Sequence, residues 1–202
     1  MIAVKYDSQC HISVTTLDNV HEWIVTRSQE AFVPDNTSTP LPAFAMPTRA
    51  LLDHWQGHRR VTRRVIQAFP EDRLSTFSVG GMRPFASMAF EMISMASAGI
   101  RGIATGDWAT GAELMHHSGA HVPATREDIL RLWDDTTDLI DSLWPRIPPE
   151  RFQEVDTAFG LYEGVIYGLL LYWIDNEIHH RGQGYVYLRA LGIEPPPFYD
   201  RS

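Results

Sequence analysis

The sequence predicts an all-α protein: a four-helix bundle with one long crossover connection, preceded by an N-terminal extension. Four segments repeat apolar residues at the three- and four-residue spacing of an amphipathic helix. The glycine- and histidine-rich residues 103–123 separate the second segment from the third, which is typical of a bundle with a crossover. Residues 160–192 contain no proline and are predicted to form one long helix. With 202 residues and 44% hydrophobic content, the chain can bury one sizeable core.

Residues 1–46 are predicted to form an N-terminal arm, and residues 47–202 the bundle. The segments IAVKY and HISVTTL could pair as a hairpin, and a short helix capped by Asp18 could follow them. Residues 33–47 contain four prolines among small polar residues. That composition is typical of a linker or an extended arm.

Proline and capping residues bound the predicted helices. Pro70 and Pro145 end the first and third helices, and Pro84 lies in the first turn of the second, where its missing N–H costs nothing. Thr125 and Asp128 have the spacing of a capping box at the start of the third helix. The four helices are therefore expected near residues 48–68, 84–102, 125–144 and 160–192.

Polar residues interrupt the apolar seams near the middle of the helices. On the last helix the interruption consists of Asn176, His180 and Gln183, between aromatic and aliphatic positions. Glu91 lies at the edge of the methionine-rich seam of the second helix, and His58 on the seam of the first. A buried polar group without a partner costs about 1–3 kcal/mol. These side chains are therefore expected to meet in a site at the middle of the bundle.

The end of the chain resembles the DinB/YfiT-like family of bacterial metal-binding four-helix bundles. The segment DNEIHHRGQGYVYLRALGIEPP, residues 175–196, is similar to the last helix of that family, in which a His-x-x-x-His pair precedes Arg-Gly-Gln. The Tyr-Leu-Arg…Gly…Pro-Pro ending is also present. His180 is the second histidine of the pair, whereas Asn176 stands at the position of the first. The resemblance covers residues 47–202 and implies the DinB-like bundle.

The resemblance implies a metal site built from the second and fourth helices. Carried over by position, its ligands are Glu91, in place of the usual histidine, with Asn176 and His180. Carboxylate binds zinc or nickel adequately and a neutral amide binds them poorly. Two interpretations remain: a metal site of weakened affinity, or a relic site without metal in which Glu91 is hydrogen-bonded to Asn176 and His180. His58 could be a replacement ligand or a catalytic proton carrier, because imidazole titrates near neutrality.

The function that the resemblance implies is metal-dependent thiol transfer in stress response or detoxification. A divalent metal, zinc or nickel, would bind the sulfur of a low-molecular-weight thiol co-substrate, which is deprotonated when coordinated and attacks a small-molecule substrate. The alternative, from another class, is a metal-free bundle that binds a small apolar ligand or acts as a dimeric scaffold.

Two Glu-x-x-His strings leave a di-iron carboxylate bundle open as a further alternative. They are Glu113–His116 and Glu177–His180. The first lies in a glycine-flanked segment that is short for a core helix. The crossover histidines could instead contact a substrate from above the bundle: His116, His117 and His121.

Composition argues against several other classes of protein. The net charge is −8 and the densest basic segment, residues 58–64, spreads its arginines around a helix, so a nucleic-acid partner is not expected. The sequence has no apolar run long enough for a membrane span, and its start lacks the features of a signal peptide, so a cytoplasmic protein is expected. The single cysteine, Cys10, excludes an internal disulfide and a cysteine-built metal site.

A homodimer is expected from the amount of apolar surface. Six tryptophans, a proline-rich arm and a methionine-rich second helix suggest more apolar surface than one bundle can bury. Light scattering at micromolar concentration should give twice the chain mass of 22.9 kDa, and a value near the mass of one chain would contradict the expectation.

Overall fold

A computed structural model describes residues 2–6, 12–16 and 46–202. The chain divides into two compact units, residues 1–43 and 44–202. In the first unit, β1 (Ile2–Tyr6) and β2 (Ile12–Thr16) pair antiparallel with Val4 opposite Val14, which confirms the predicted hairpin. The predicted short helix that follows, and the linker up to residue 45, lie outside the described residues.

The second unit is a helical bundle, which confirms the predicted all-α fold. In the described chain no helix is both long enough and apolar enough to cross a membrane. The elements of the second unit are α1 (Thr48–Ala68), α2 (Glu71–Leu74), α3 (Phe85–Thr105), α4 (Arg126–Leu143), β3 (Val155–Ala158), β4 (Tyr162–Val165) and α5 (Ile166–Ala190). Short 3₁₀ turns lie at Gly111–Glu113, Trp144–Arg146 and Pro149–Gln153.

The helices α1 and α5 run in one direction and α3 and α4 in the other. Phe69, just after α1, stacks on Phe85 at the start of α3 with ring centroids 4.7 Å apart, and Arg126 at the start of α4 donates to the Phe69 carbonyl at 2.6 Å. At the opposite end, Trp55 near the start of α1 contacts Trp144, which follows α4. Residues 106–125 therefore return the chain from one end of the bundle to the other, as the predicted crossover requires.

The last helix begins later than the sequence predicts. Residues 160–165 do not continue it but form a turn and the strand β4, which pairs with β3 so that Val155 faces Val165. Phe159 and Gly160 both have positive φ, 59° and 69°, and turn the chain between the two strands. The prediction of one helix over 160–192 is therefore wrong at its start, because the ladder to β3 holds Tyr162–Val165 extended.

A polar layer divides the core into two apolar clusters. One cluster lies near the start of α5 and contains Trp55, Phe159 and Trp173; the other lies near its end and contains Phe69 and Tyr187. Between them each of α1, α3 and α5 contributes polar or charged side chains at the same depth. The inference that the seam polarity lies at the middle of the bundle is correct for these helices.

Two glycines of α5 have different surroundings, although the sequence predicts close packing at both. A Cβ atom built on Gly184 would lie 2.5 Å from the Phe85 ring, so the absence of a side chain lets α3 approach α5. Nothing lies within 4 Å of the corresponding position on Gly182.

Gly184→Ala and Gly182→Ala should therefore change the free energy of unfolding in opposite directions. The first overpacks the contact with Phe85 and should destabilise the bundle by about 1–3 kcal/mol. The second removes backbone entropy from the unfolded chain and should stabilise the bundle by about 0.5–1 kcal/mol. Urea denaturation of both variants measures the difference, and a shift of the same sign in both would refute the packing assigned to Gly184.

Candidate functional site

Glu91 of α3 and His180 of α5 meet at the middle of the bundle, as the sequence predicts. His180 Nε2 lies 3.2 Å from Glu91 Oε1, and the two side chains are 8% and 16% exposed. Arg83 Nη2 donates to the other carboxylate oxygen, Oε2, at 2.6 Å. His180 Nδ1 lies 2.7 Å from Gln183 Oε1, so both ring nitrogens face an oxygen acceptor.

The two partners of Glu91 keep its carboxylate ionised. Burial acts to raise the pKa of Glu91, but the hydrogen bonds from His180 and Arg83 and the Arg83 charge outweigh it and hold the pKa at about 2. At neutral pH Glu91 is therefore an anion with both oxygens already bonded.

Asn176 lies one turn before His180 on α5 but makes a different contact. Its Nδ2 atom lies 3.6 Å from Met95 Sδ, and Met95 in turn lies one turn after Glu91 on α3. The Glu91–His180 and Met95–Asn176 contacts thus form two successive layers between antiparallel helices. A relic site was expected to have hydrogen bonds from His180 and Asn176 to Glu91, and the contact between His180 and Glu91 is present. The expected bond from Glu91 to Asn176 is replaced by the contact with Met95.

His116 on the crossover lies near the same carboxylate. Burial and the neighbouring His117 lower the pKa of His116, and the negative charge of Glu91 opposes that shift. His116 Nδ1 is buried and has no hydrogen-bond partner among the described residues. His117 contacts the Gly111 carbonyl at 3.1 Å, and His121 is exposed. His116 therefore lies near the pair without bonding to it.

The residues present do not fit the implied metal site. Within the described part of the chain, no three His, Cys, Asp or Glu side chains are grouped so as to hold a metal ion. The Glu91–His180 pair supplies two donors, and the Arg83 guanidinium occupies one of the carboxylate oxygens. The di-iron arrangement is not formed either: Glu113 accepts from the Thr110 backbone N–H at 2.7 Å, and Glu177 faces α1.

A second buried polar cluster, which was not expected from the sequence, lies between α1 and α5. Glu177 is 2% exposed and accepts a hydrogen bond from Thr62 Oγ1 at 2.6 Å. Arg181, one turn later and 5% exposed, places Nη1 3.9 Å from the Glu177 carboxylate. The sequence spacing could have indicated this cluster, because Glu177 and Arg181 continue the helical spacing of Leu170 and Ile174 on a second face of α5. A helix that packs against two neighbours carries two such rows.

His58 belongs to this second cluster and not to the Glu91–His180 pair. Arg181 Nη2 donates to His58 Nδ1 at 2.9 Å, and the His54 ring packs edge-on 4.6 Å away. Burial first, then the charge of Arg181, lowers the pKa of His58 to about 3. This pKa lies well below the neutral range expected of a proton carrier, because a buried imidazole beside a guanidinium resists protonation; the catalytic role of His58 stays a prediction.

Arg59 extends the cluster to α4 and adds a buried charge. It donates to the Trp133 carbonyl and to Thr137 Oγ1, both at 2.8 Å, and its Cζ lies 4.1 Å from the centroid of the Trp133 ring. Burial lowers its pKa to about 10, so the guanidinium remains charged. Burial raises the pKa of Glu177, and the charges of Arg59 and Arg181 oppose that rise. The two cations thus offset only part of the cost of burying the Glu177 carboxyl group.

The low pKa of His58 predicts a loss of stability in mild acid. The unfolded chain takes up a proton at the ordinary histidine pKa of 6.5, whereas the folded chain resists protonation until about pH 3. The free energy of unfolding should therefore fall as the pH decreases from 6.5, with His58 contributing up to about 1.4 kcal/mol per pH unit. Denaturation at pH 7, 6 and 5 should show a shallower decrease in His58→Gln than in the unchanged protein. The control, His121→Gln, alters an exposed histidine and should keep the original slope; equal slopes in all three proteins would contradict the assignment.

Comparison with known proteins agrees with this fold. The family model described as the DinB family matches residues 44–202. A DinB-like protein from Bacillus cereus ATCC 10987 is similar with a TM-score of 0.61 and 16% identity, over 75% of this chain and 97% of that one. The DinB-like protein YjoA from Bacillus subtilis has a TM-score of 0.59 and 18% identity, over 75% and 99%. A search of curated proteins finds no match. By the family match over its whole bundle, the chain belongs to the DinB family.

Proposed function

We propose that this chain is a DinB family protein that binds a small molecule without a metal ion. In this proposal the Arg83–Glu91–His180 set stands where the family resemblance implies a metal. The observation that carries it is the contact of Arg83 Nη2 with Glu91 Oε2 at 2.6 Å. The half-exposed Arg83 guanidinium supplies positive charge at this carboxylate, where a divalent cation would otherwise bring it.

The donor set supports the proposal. A metal at this position would take the place of the hydrogen bond between His180 and Glu91 Oε1, and Arg83 on Oε2 would leave it only one carboxylate oxygen. The remaining family position offers the Asn176 amide, which is a poor ligand for zinc or nickel.

Space for a small molecule exists on the face of α3 that packs against α4. A groove of about 1000 Å³ lies between α3, α4 and the crossover, and Ile93 and Ser94 of its lining follow Glu91 closely on α3. Volumes of about 300–1000 Å³ are typical of small-molecule sites. The proposed function places the ligand in this groove and assigns the ion-paired set the role of holding α3 against α5.

Metal-dependent thiol transfer is the second candidate. It is favoured by the meeting of Glu91 and His180 on the two helices from which the family resemblance draws its ligands. It would require zinc or nickel and a thiol co-substrate, and a third protein donor that the described residues do not bring to the pair.

Elemental analysis of protein purified without a histidine tag separates the two candidates. We expect far less than one zinc or nickel ion per chain, and a melting temperature that a chelator leaves unchanged. About one ion per chain, lost on chelation together with thermal stability, would support the transferase and overturn the proposal. His180→Gln is the matched control, since metal that persists in this variant is bound outside the site.

A further inference from the structure

The groove between α3 and α4 has an apolar floor with an aromatic wall. Leu114, Leu132 and Leu139 contribute aliphatic surface, and Trp108 forms the wall. The Trp108 ring is fixed from two sides. Its Nε1 donates to Asp156 Oδ2 at 2.9 Å, and it packs so closely on α3 that a Cβ atom on Gly102 would lie 2.1 Å from the ring. Such a preformed surface suits a ligand with an apolar or aromatic body.

The lining of the groove is strongly acidic. Its charged members are one guanidinium, Arg101, and four carboxylates, so the net charge of the lining is −3: Asp107, Glu113, Asp135 and Asp138. Low-dielectric walls of one sign concentrate ligands of the opposite charge. The charge therefore selects against anions and favours a cation.

A buried hydroxyl group provides a second, independent indication of a ligand. Ser94 lies in the lining and is 1% exposed, and its Oγ atom has no hydrogen-bond partner within the described part of the chain. Leaving such a group unpaired costs about 1–3 kcal/mol. A ligand that places an N–H donor at the groove floor would satisfy this oxygen.

We propose that the groove binds an organic ammonium ion that carries an apolar or aromatic body. The ammonium group lies among the carboxylates of α4 and donates toward Ser94, and the body packs on the leucines and Trp108. The inference rests on the proposed function, since it names the class of ligand for the same groove.

Phenethylamine is the probe, with 2-phenylethanol as its neutral analogue and 3-phenylpropionate as an anion. Calorimetric titration at low ionic strength should show saturable binding of the amine, at least about tenfold tighter than the alcohol, and none of the anion. Added salt should weaken the amine's binding. If the alcohol binds as tightly as the amine, the ligand class is wrong while small-molecule binding stands. If none of the three binds at millimolar concentration, both the class and the proposed use of the groove are overturned.

Variants locate the binding. Asp135→Asn with Asp138→Asn should weaken phenethylamine binding about tenfold, whereas Glu150→Gln with Glu163→Gln, which changes the net charge equally on exposed residues outside the groove, should leave it unchanged. Ser94→Ala should weaken binding severalfold without loss of thermal stability, because the hydroxyl has no partner to lose. Equal binding by the groove and control variants would overturn the proposal.

Discussion

The contact on which the proposed site depends is the ionised carboxylate of Glu91, held between Arg83 and His180. It forms because α3 and α5 run antiparallel and approach closely, with Gly184 against Phe85 at one end and Gly99 against Trp173 at the other. This close approach places Glu91 opposite His180 and Met95 opposite Asn176. With Arg83 on Oε2, an incoming ion would find only Glu91 Oε1 and His180 Nε2 as ligands. The chemistry of the site therefore follows from helix packing and from one arginine at the start of α3.

The second buried cluster shows how the bundle tolerates charge in its core. Arg59 and Arg181 are almost fully buried, and the buried carboxyl group of Glu177 lies 3.9 Å from Arg181. Buried ion pairs seldom add net stability over apolar residues, but removing one partner costs about 3–5 kcal/mol. Carbonyl and hydroxyl acceptors on α1 and α4 bond the guanidinium groups as well. The arrangement fixes the register of α1, α4 and α5, since a shift of one turn would leave these charges unpaired.

The sequence predicts the helices, the crossover and the Glu91–His180 meeting, because helical periodicity places residues by depth. Sequence spacing does not predict which neighbouring helix a residue faces when two residues lie at the same depth. The rows containing Asn176 and Glu177 occur at the same depth of α5, and only packing decides that one faces Met95 and the other Thr62. The neutral state of His58 depends on Arg181, which sequence spacing does not bring near. The strand at Tyr162–Val165 was missed because its partner, β3, lies in a connection without helical periodicity.

We propose that Arg83, Glu91 and His180 close the site at which the family resemblance implies a metal, and that Asn176 contributes to this because an amide is a poor ligand for zinc or nickel. Replacing Asn176 by histidine places an imidazole one turn from His180, which with Glu91 makes a two-histidine, one-carboxylate set. Zinc titration should raise the melting temperature of Asn176→His by about 5 °C or more, and should leave the unchanged protein and an Asn176→His, His180→Gln double variant unaffected. A zinc-dependent rise in the unchanged protein, or none in the single variant, would contradict the account.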